Sequence, residues 1–197
     1  MIVIGVPTTG AIPTRVVGAI ESVLLCRKGV VPYYVEGSLV YDARAHILNY
    51  ALEQNADLLF LDSDIIFPLE GFDSLVNRNV DIVSGLYYGR KAGSPPIAYK
   101  SIRPTNILRH SERTEIDHIE PFMEVAGVGL GFCLIKNRVM QKIAKPGKNP
   151  FEPFGDLGED LSFFVRCRRK GIKCMLDTTF ELRHIGQYEY TSKDYKG

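Results

Sequence analysis

Short apolar runs alternate with stretches of helical spacing over the first half of the chain. Runs of this length, rich in β-branched residues, are typical of buried strands, and apolar positions three or four residues apart are typical of one helix face. The predicted strands are residues 2–6, 30–35, 58–61 and 81–84. The predicted helices are residues 14–28, a segment capped by Asp42, and residues 72–77. This order predicts an α/β fold with a Rossmann-like, mostly parallel sheet and helices on both faces.

The second half of the chain is less regular. Residues 89–121 hold several prolines and many charges without periodicity, which predicts a long surface loop or a small excursion from the fold. Glycine alternates with apolar residues over 124–136. The elements predicted after it are a helix capped by Asn137, a loop at 145–158, a helix at 159–170 and a strand at 172–176. We expect a single domain over residues 1–197 that ends in a charged tail at 187–197.

Composition narrows the functional classes. The chain has 197 residues, 45% of them hydrophobic, with 24 Lys and Arg against 23 Asp and Glu. A formal net charge of +1 lacks the basic excess of a dedicated nucleic-acid binder, so we expect no long nucleic acid as a partner. No apolar run approaches the ~20 residues that span a bilayer. The start carries no signal-peptide pattern and the four cysteines form no CxxC pair, which predicts reduced thiols and a cytoplasmic location.

The predicted topology brings several polar turns together. Ligands of open α/β sheets bind at the edge where the parallel strands end. Pro7–Gly10, Glu36–Gly37 and Asp62–Asp64 each follow a predicted strand. We therefore expect these three turns to lie near one another and to form a ligand site.

The strongest chemical signal is Asp62-Ser63-Asp64, directly after four apolar residues. Two carboxylates at the end of a strand are suited to a hard divalent cation such as Mg²⁺ or Mn²⁺. Such a cation neutralises a diphosphate and stabilises it as a leaving group. Asp and Ser also favour ordinary turns and helix starts, and this structural interpretation is the alternative.

Two further signals lie late in the chain. Glu159 and Asp160 stand at a predicted helix start, where a carboxylate either stabilises the helix or accepts a proton from a substrate hydroxyl. His184 follows the last predicted strand and is either a metal ligand or an ordinary histidine. Arg44 and Arg90 are candidates to place positive charge at phosphates. The segment Tyr87–Lys91, which follows a strand, either borders a substrate pocket or packs.

The order of these motifs resembles that of nucleotide-sugar glycosyltransferases of the GT-A fold, close to the family-2-like enzymes. The resemblance covers about residues 1–186. The matching segments are Gly5–Thr9, Asp42–Arg44, Leu59–Asp64, Asp81–Tyr88, Gly129–Phe132, Gly158–Asp160 and His184. It implies a nucleotide-binding half at 1–88 and an acceptor and catalytic half at 89–186. It also implies a hexosyltransferase-type reaction from a nucleoside-diphosphate sugar, with Mn²⁺ or Mg²⁺ as cofactor.

The resemblance also implies roles for single residues. Pro7, Thr8 and Thr9 would lie against the nucleoside, and Arg44 and Ser63 near the nucleotide. Asp62 would stand near the ribose and the waters of the ion. Asp64 would ligate the metal directly, in the DXD motif, with His184 as a later ligand. Asp160 would be the general base of an inverting reaction, with Glu159 beside it, and Gly129–Phe132 would lie under the donor sugar.

The chain also departs from the family pattern. The acidic pair usual after the second strand is reduced to Glu36-Gly37, so recognition of the base by Glu36 is in question. UDP-sugar is the first expectation for the donor and GDP-sugar the second, while the acceptor is not specified. Exposed apolar sheet edges leave a homodimer open.

Two other functions remain open. A sugar-phosphate nucleotidyltransferase also uses carboxylates at strand ends, but it usually carries a basic, glycine-rich loop after the first strand, and here no basic residue precedes Arg15. A non-catalytic sugar-nucleotide-binding domain would fit the short acceptor side. Retention of Asp62, Asp64, Asp160 and His184 together argues against the latter.

Overall fold

The computed structural model of the chain describes residues 1–37, 39–91, 93–104, 111–186, 189–191 and 193. Tyr188 and Tyr195 of the predicted tail lie outside this range. The described strands are β1 Ile2–Thr8, β2 Val30–Glu36, β3 Asp57–Leu61, β4 Ile65–Ile66, β5 Ile82–Gly85, β6 Ala98–Pro104, β7 Ser111–Glu115, β8 Phe122–Val125, β9 Gly127–Val128, β10 Phe132–Ile135, β11 Cys174–Asp177, β12 Arg183–Ile185 and β13 Glu189–Tyr190. The described helices are α1 Thr14–Cys26, α2 Val40–Glu53, α3 Leu69–Arg78, α4 Asn137–Ile143 and α5 Glu159–Arg168.

The main sheet has seven strands in the order β2-β1-β3-β10-β5-β11-β8. The register shows that β1, β2, β3, β5 and β11 run in one direction, while β8 and β10 run against them. The prediction of a mostly parallel α/β sheet is confirmed. Because β10 runs backwards, its start lies beside the end of β3, and this brings the preceding glycines to the edge where the parallel strands end.

Helices cover both faces of the sheet, as predicted. Alternate residues of a strand point to opposite faces. Val3, Leu58 and Phe60 pack with α2, α4 and α5, whereas Ile4, Leu59 and Leu61 pack with α1 and α3. Strands β3 and β10 therefore carry apolar residues at nearly every position, since neither face of the sheet meets solvent there.

Two predicted helix caps are wrong by a few residues. Helix α2 begins at Val40, so Asp42 lies in its first turn, where its carboxylate accepts a hydrogen bond from the Asn149 amide at 3.1 Å. Helix α4 begins at Asn137, whose side-chain amide donates to the Ala56 carbonyl at 3.1 Å. In both helices a partner distant in sequence satisfies the polar group that local reasoning assigned to a cap.

Residues 89–121, predicted as a long surface loop or a small excursion, contain regular structure and so are not a plain loop. This segment holds the antiparallel pair β6–β7, and β6 also pairs with β9. Strand β7 is entirely polar and a register shift between Tyr99 and Ser101 breaks the alternation of β6, so no period-two pattern is visible in the sequence. Ile102 packs beneath the pair against Leu161 and Val165 of α5. The β6–β7 pair is thereby fastened to the helix whose first turn carries Glu159 and Asp160.

A small sheet of β13, β12 and β4 completes the fold. Strand β4 begins one residue after Asp64, and His184 of β12 is paired with Ile65. The backbone N–H of Ile185 donates to the Asp64 carbonyl at 2.8 Å. This pairing brings the end of the described chain back to the turn after β3. None of the described helices combines the length and the apolar character that crossing a membrane requires.

Candidate functional site

A cavity of about 240 Å³ opens where β1 and β3 end. Its wall includes ten of the residues predicted for the site, namely Pro7, Thr8, Thr9, Gly37, Arg44, Asp62, Ser63, Asp64, Arg90 and Glu159. The remaining lining residues are Val40 and Ala43. The structure therefore brings together the turn after β1, the start of α2, the turn after β3 and the start of α5.

The turn after β3 separates its two carboxylates. The Asp62 N–H donates to the Gly131 carbonyl at 2.9 Å, and the Ile65 N–H donates back to the Asp62 carbonyl at 3.1 Å. The chain then enters β4. This tight turn gives Asp62 and Asp64 different neighbours, although both line the same cavity.

Asp62 belongs to an ion cluster around Arg44. Arg44 projects from α2 and donates to Asp62 Oδ1 at 2.8 Å and to Glu159 Oε1 at 3.4 Å. The Arg44 side chain is only 3% exposed and lies 5.1 Å from the centre of the Phe60 ring. Burial alone would lower the pKa of Arg44, but the Asp62 and Glu159 carboxylates outweigh it and raise that pKa. Arg44 is thus a permanent positive charge fixed in the wall of the cavity.

Asp64 belongs to a second cluster with His184 and Arg90. Arg90 pairs with Asp64 Oδ2 and donates from Nε to His184 Nε2 at 2.9 Å. His184 is buried, and its Nδ1 lies 2.7 Å from the Tyr88 carbonyl oxygen. Nε2 of His184 also lies 3.5 Å from Asp64 Oδ1. This Oδ1 atom is buried and has no hydrogen-bond partner among the described residues.

These atoms fit a divalent cation. A buried carboxylate oxygen without a partner is costly unless something positive approaches it. An imidazole nitrogen and a carboxylate oxygen at this separation are a suitable pair of ligands for Mn²⁺ or Mg²⁺. Within the described ranges, no three His, Cys, Asp or Glu side chains are grouped to hold a metal. Asp64 and His184 therefore supply only two of the ligand atoms that a metal site would need, and Asp62 faces Arg44 instead.

Asp160 does not line the cavity, although its neighbour Glu159 does. Asp160 is partly buried, and its Oδ1 accepts the Leu161 N–H at 2.7 Å. Burial, followed by the neighbouring Glu159 carboxylate, raises the pKa of Asp160 to about 6, against the opposing influence of the Leu161 N–H and Arg44. A carboxylate with this pKa is ionised at neutral pH and still basic enough to take a proton.

Glu36 does not line the cavity. It ends β2, is exposed, and sits close to Gly10, where an added Cβ would lie 3.2 Å from Glu36 Oε1. Gly10 has a φ of +113°, which a side chain would strain. The turn after β1 therefore folds against Glu36, while Pro7, Thr8 and Thr9 face the cavity.

Tyr87 is a site residue whose role the sequence did not reveal. Its buried hydroxyl accepts the Gly131 N–H at 3.1 Å, and its ring meets the His184 ring edge to face at 5.5 Å between centres. A Cβ added to Gly129 would lie 2.0 Å from the Tyr87 hydroxyl oxygen, and one added to Gly131 would lie 2.8 Å from it. These glycines make room for Tyr87, and their alternation in the sequence was the available signal.

Three other cavities among the described residues are larger, at about 380, 420 and 600 Å³. The first is lined by Lys100, Glu124, Arg168 and Lys173, but Lys173 already pairs with Glu124. None of the three is lined by more than one carboxylate, whereas Asp62, Asp64 and Glu159 all line the cavity where β1 and β3 end. His184 contacts Asp64 but is not itself a lining residue of that cavity. The residue types in its lining, and not its volume, therefore identify the cavity where β1 and β3 end (the rim cavity) as the candidate active site.

No protein-family model matches the chain, and no curated protein matches it in sequence. Several solved structures share its fold. A197 from STIV superposes with a TM-score of 0.67 at 22% identity, over 94% of this chain and 85% of that chain. GalNAc-T7, crystallised with UDP, GalNAc and Mn²⁺, superposes with a TM-score of 0.51 at 12% identity, over 97% of this chain and 38% of that chain. A glycosyltransferase involved in glycosylation of the major capsid of PBCV-1 follows at 0.48 and 15% identity, over 90% of this chain and 81% of that chain.

The chain therefore has a GT-A-like glycosyltransferase fold, and the resemblance noted in the sequence is confirmed at that level. At these identities the likeness concerns the fold, and the activity has to be argued from the residues of the site.

Proposed function

We propose that this chain is a metal-dependent glycosyltransferase. It transfers a hexosyl group from a nucleoside-diphosphate sugar to an acceptor hydroxyl, with inversion at the sugar. The observation that carries the proposal is the pair formed by Asp64 Oδ1, buried and without a partner, and His184 Nε2 at 3.5 Å, beside a cavity that Arg44 also lines. The neighbour crystallised with UDP, GalNAc and Mn²⁺ supports this choice, and it favours UDP-sugar over GDP-sugar as the donor.

The donor would lie along the rim. Pro7, Thr8 and Thr9 would face the nucleoside, with Asp62 and Ser63 near the ribose. Asp64 and His184 would hold Mn²⁺ or Mg²⁺, which neutralises the negative charge of a departing diphosphate. The fixed guanidinium of Arg44 adds a positive potential in the same wall, where low exposure strengthens it.

Asp160 is the proposed general base. The acceptor hydroxyl attacks the anomeric carbon from the face opposite the diphosphate, and Asp160 takes the hydroxyl proton. Glu159, held by Arg44, stands beside it near the acceptor. The pKa of about 6 favours this role, because the base must be unprotonated at neutral pH and remain a useful proton acceptor.

The test is release of nucleoside diphosphate from a panel of UDP- and GDP-hexoses, with Mn²⁺ or with a chelator, in the presence of acceptor hydroxyls. We expect turnover that requires the metal, and a loss of about 10²–10⁴-fold in Asp160→Asn. Asp73→Asn is the control, because Asp73 pairs with Arg27 on the surface of α3 and lies outside the lining of the cavity. Unchanged turnover in Asp160→Asn would contradict the assignment of the base.

The same assay separates the alternatives. A nucleotidyltransferase would release pyrophosphate from a nucleoside triphosphate and a sugar phosphate. A binding domain would bind UDP-sugar with neither hydrolysis nor transfer. The turn after β1 has no basic residue before Arg15, which weighs against the first, and the raised pKa of Asp160 weighs against the second.

A further inference from the structure

Arg90 occupies the position between the two proposed metal ligands. It follows Tyr88 and Gly89 after the end of β5, and its side chain is 57% exposed although its head group reaches inward. The guanidinium contacts Asp64 Oδ2 and His184 Nε2, and Arg90 lines the rim cavity. The Arg90 guanidinium thus lies where a metal ion bound by Asp64 and His184 would lie.

The hydrogen bonds of His184 define its tautomer. A carbonyl oxygen can only accept, so Nδ1, at 2.7 Å from the Tyr88 oxygen, carries the proton. Arg90 Nε can only donate, so Nε2 presents its lone pair to Arg90. The Nε2 lone pair that accepts from Arg90 is thus the same lone pair that a metal would need.

Arg90 and a divalent cation also compete for the carboxylate of Asp64. Arg90 and a divalent cation would both be drawn to Asp64, and two cations this close repel each other. A metal that takes Nε2 must displace the Arg90 N–H, because one lone pair serves one partner. Asp64 Oδ1 is left without a hydrogen bond even with Arg90 in place, so the guanidinium satisfies the pair only in part.

Arg90 is also free to leave. Arg44 is 3% exposed and fixed to two carboxylates and the Leu130 carbonyl, whereas Arg90 is half in solvent on a segment between strands. A displaced guanidinium would remain at the mouth of the cavity that is to hold the diphosphate. Guanidinium groups bind phosphate oxygens strongly and in two-pronged geometry.

We propose that Arg90 is an exchangeable counter-ion of the metal site, displaced when a divalent cation binds and then paired with the diphosphate of the donor. This inference rests on the proposed function, since it assumes that Asp64 and His184 hold the metal. We therefore expect the affinity for the divalent cation to be low without nucleotide and higher with it, because the diphosphate then pairs with the displaced Arg90.

The test measures Mn²⁺ affinity from the electron paramagnetic resonance signal of free Mn²⁺, without nucleotide, for the wild type, Arg90→Gln and Lys91→Gln. Lys91→Gln removes the same charge from the neighbouring exposed residue. Loss of two charge-assisted hydrogen bonds is expected to tighten Mn²⁺ binding about tenfold in Arg90→Gln, with no comparable change in Lys91→Gln. With Mn²⁺ saturating, UDP is expected to bind more weakly to Arg90→Gln than to the wild type.

Three outcomes would overturn the proposal. Equal Mn²⁺ affinity in the wild type and Arg90→Gln would contradict the displacement of Arg90 by the metal, but not the metal site itself. Tighter binding in Arg90→Gln that persists when Asp64→Ala is added places the metal elsewhere. Absence of Mn²⁺ binding in every variant, with and without UDP, removes both this inference and the proposed function.

Discussion

The candidate active site contains two arginine–carboxylate pairs that differ in how they are held. In the inner pair, Arg44 of α2 meets Asp62 with its side chain 3% exposed. In the outer pair, Arg90 meets Asp64 from the segment after β5 with its side chain 57% exposed. The two carboxylates are one residue apart in the chain, yet one is part of the packed wall and the other faces a removable cation.

This difference shows that burial and anchoring, more than residue type, separate scaffold from adjustable chemistry. The inner pair touches Glu159, the Leu130 carbonyl and the Phe60 ring, so its geometry is fixed by three other elements. The outer pair depends on one exposed side chain and on His184. We therefore assign the inner pair to shaping the cavity and the outer pair to holding what enters it.

The largest expected effect comes from breaking the inner pair. Arg44→Met leaves the Asp62 and Glu159 carboxylates without their shared cation, and removal of one partner of a buried ion pair costs about 3–5 kcal/mol in the free energy of unfolding. Urea denaturation measures this cost. Arg44→Lys keeps the charge without the planar fork and is expected to lose less. A loss below about 1 kcal/mol in Arg44→Met would contradict the structural role of the inner pair.

Crowding beside the inner pair gives the next effect. In Gly129→Ala the new methyl group would stand 2.0 Å from the Tyr87 hydroxyl oxygen, and Tyr87 has no room to retreat because it is buried. Overpacking of this kind costs about 1–3 kcal/mol. The double variant with Tyr87→Phe, which removes the hydroxyl, is expected to recover part of the loss. Equal stability of the wild type and Gly129→Ala would show that Tyr87 can move to accommodate the methyl group, which would contradict this prediction.

The pH profile of turnover separates the two pairs electrostatically. Only unprotonated Asp160 accepts a proton, so kcat/KM should rise as the pH rises through about 6 and then level off. Arg44 lowers the pKa of Asp160, so Arg44→Lys should keep the midpoint and Arg44→Met should move it to higher pH. Arg90→Met is expected to leave the midpoint in place. The same midpoint in Arg44→Met and in the wild type would contradict the electrostatic interaction between Arg44 and Asp160.

The smallest effect is expected from the stability of the outer pair. Exposed ion pairs contribute about 0–1 kcal/mol, so Arg90→Met should unfold at nearly the same urea concentration as the wild type. A loss comparable to that of Arg44→Met would mean that Arg90 is a structural residue, and the contrast between the pairs would be lost.

The sequence predicts the inner region better than the outer one. Strands β1 and β3 are buried on both faces and their apolar runs are visible, so the meeting of the Pro7–Gly10 and Asp62–Asp64 turns follows from strand order. The family resemblance, and not the strand order, predicted that Arg44 lies near them. The contact of His184 with Asp64 depends on the pairing of β4 with β12, two strands of two and three residues that no periodic pattern marks. Arg90 reaches the site through a bend that only the tertiary structure defines.

The β6–β7 pair and Tyr87 illustrate the same limit. A polar strand with a register shift lacks the alternation that identifies strands. Gly129 and Gly131 were visible in the sequence, but the reason for both glycines is Tyr87, which lies 44 residues before Gly131, its hydrogen-bond partner.

Asp64 is expected to bind a divalent cation together with a nucleoside diphosphate. Thermal unfolding of the wild type, Asp64→Asn and the control Asp73→Asn, with Mn²⁺, UDP, both or neither, tests it directly, because a ligand that binds only the folded state raises Tm. We expect Mn²⁺ and UDP together to raise the Tm of the wild type and of Asp73→Asn by more than the sum of their separate effects, and Asp64→Asn to lose that excess. The same excess in Asp64→Asn would contradict the account.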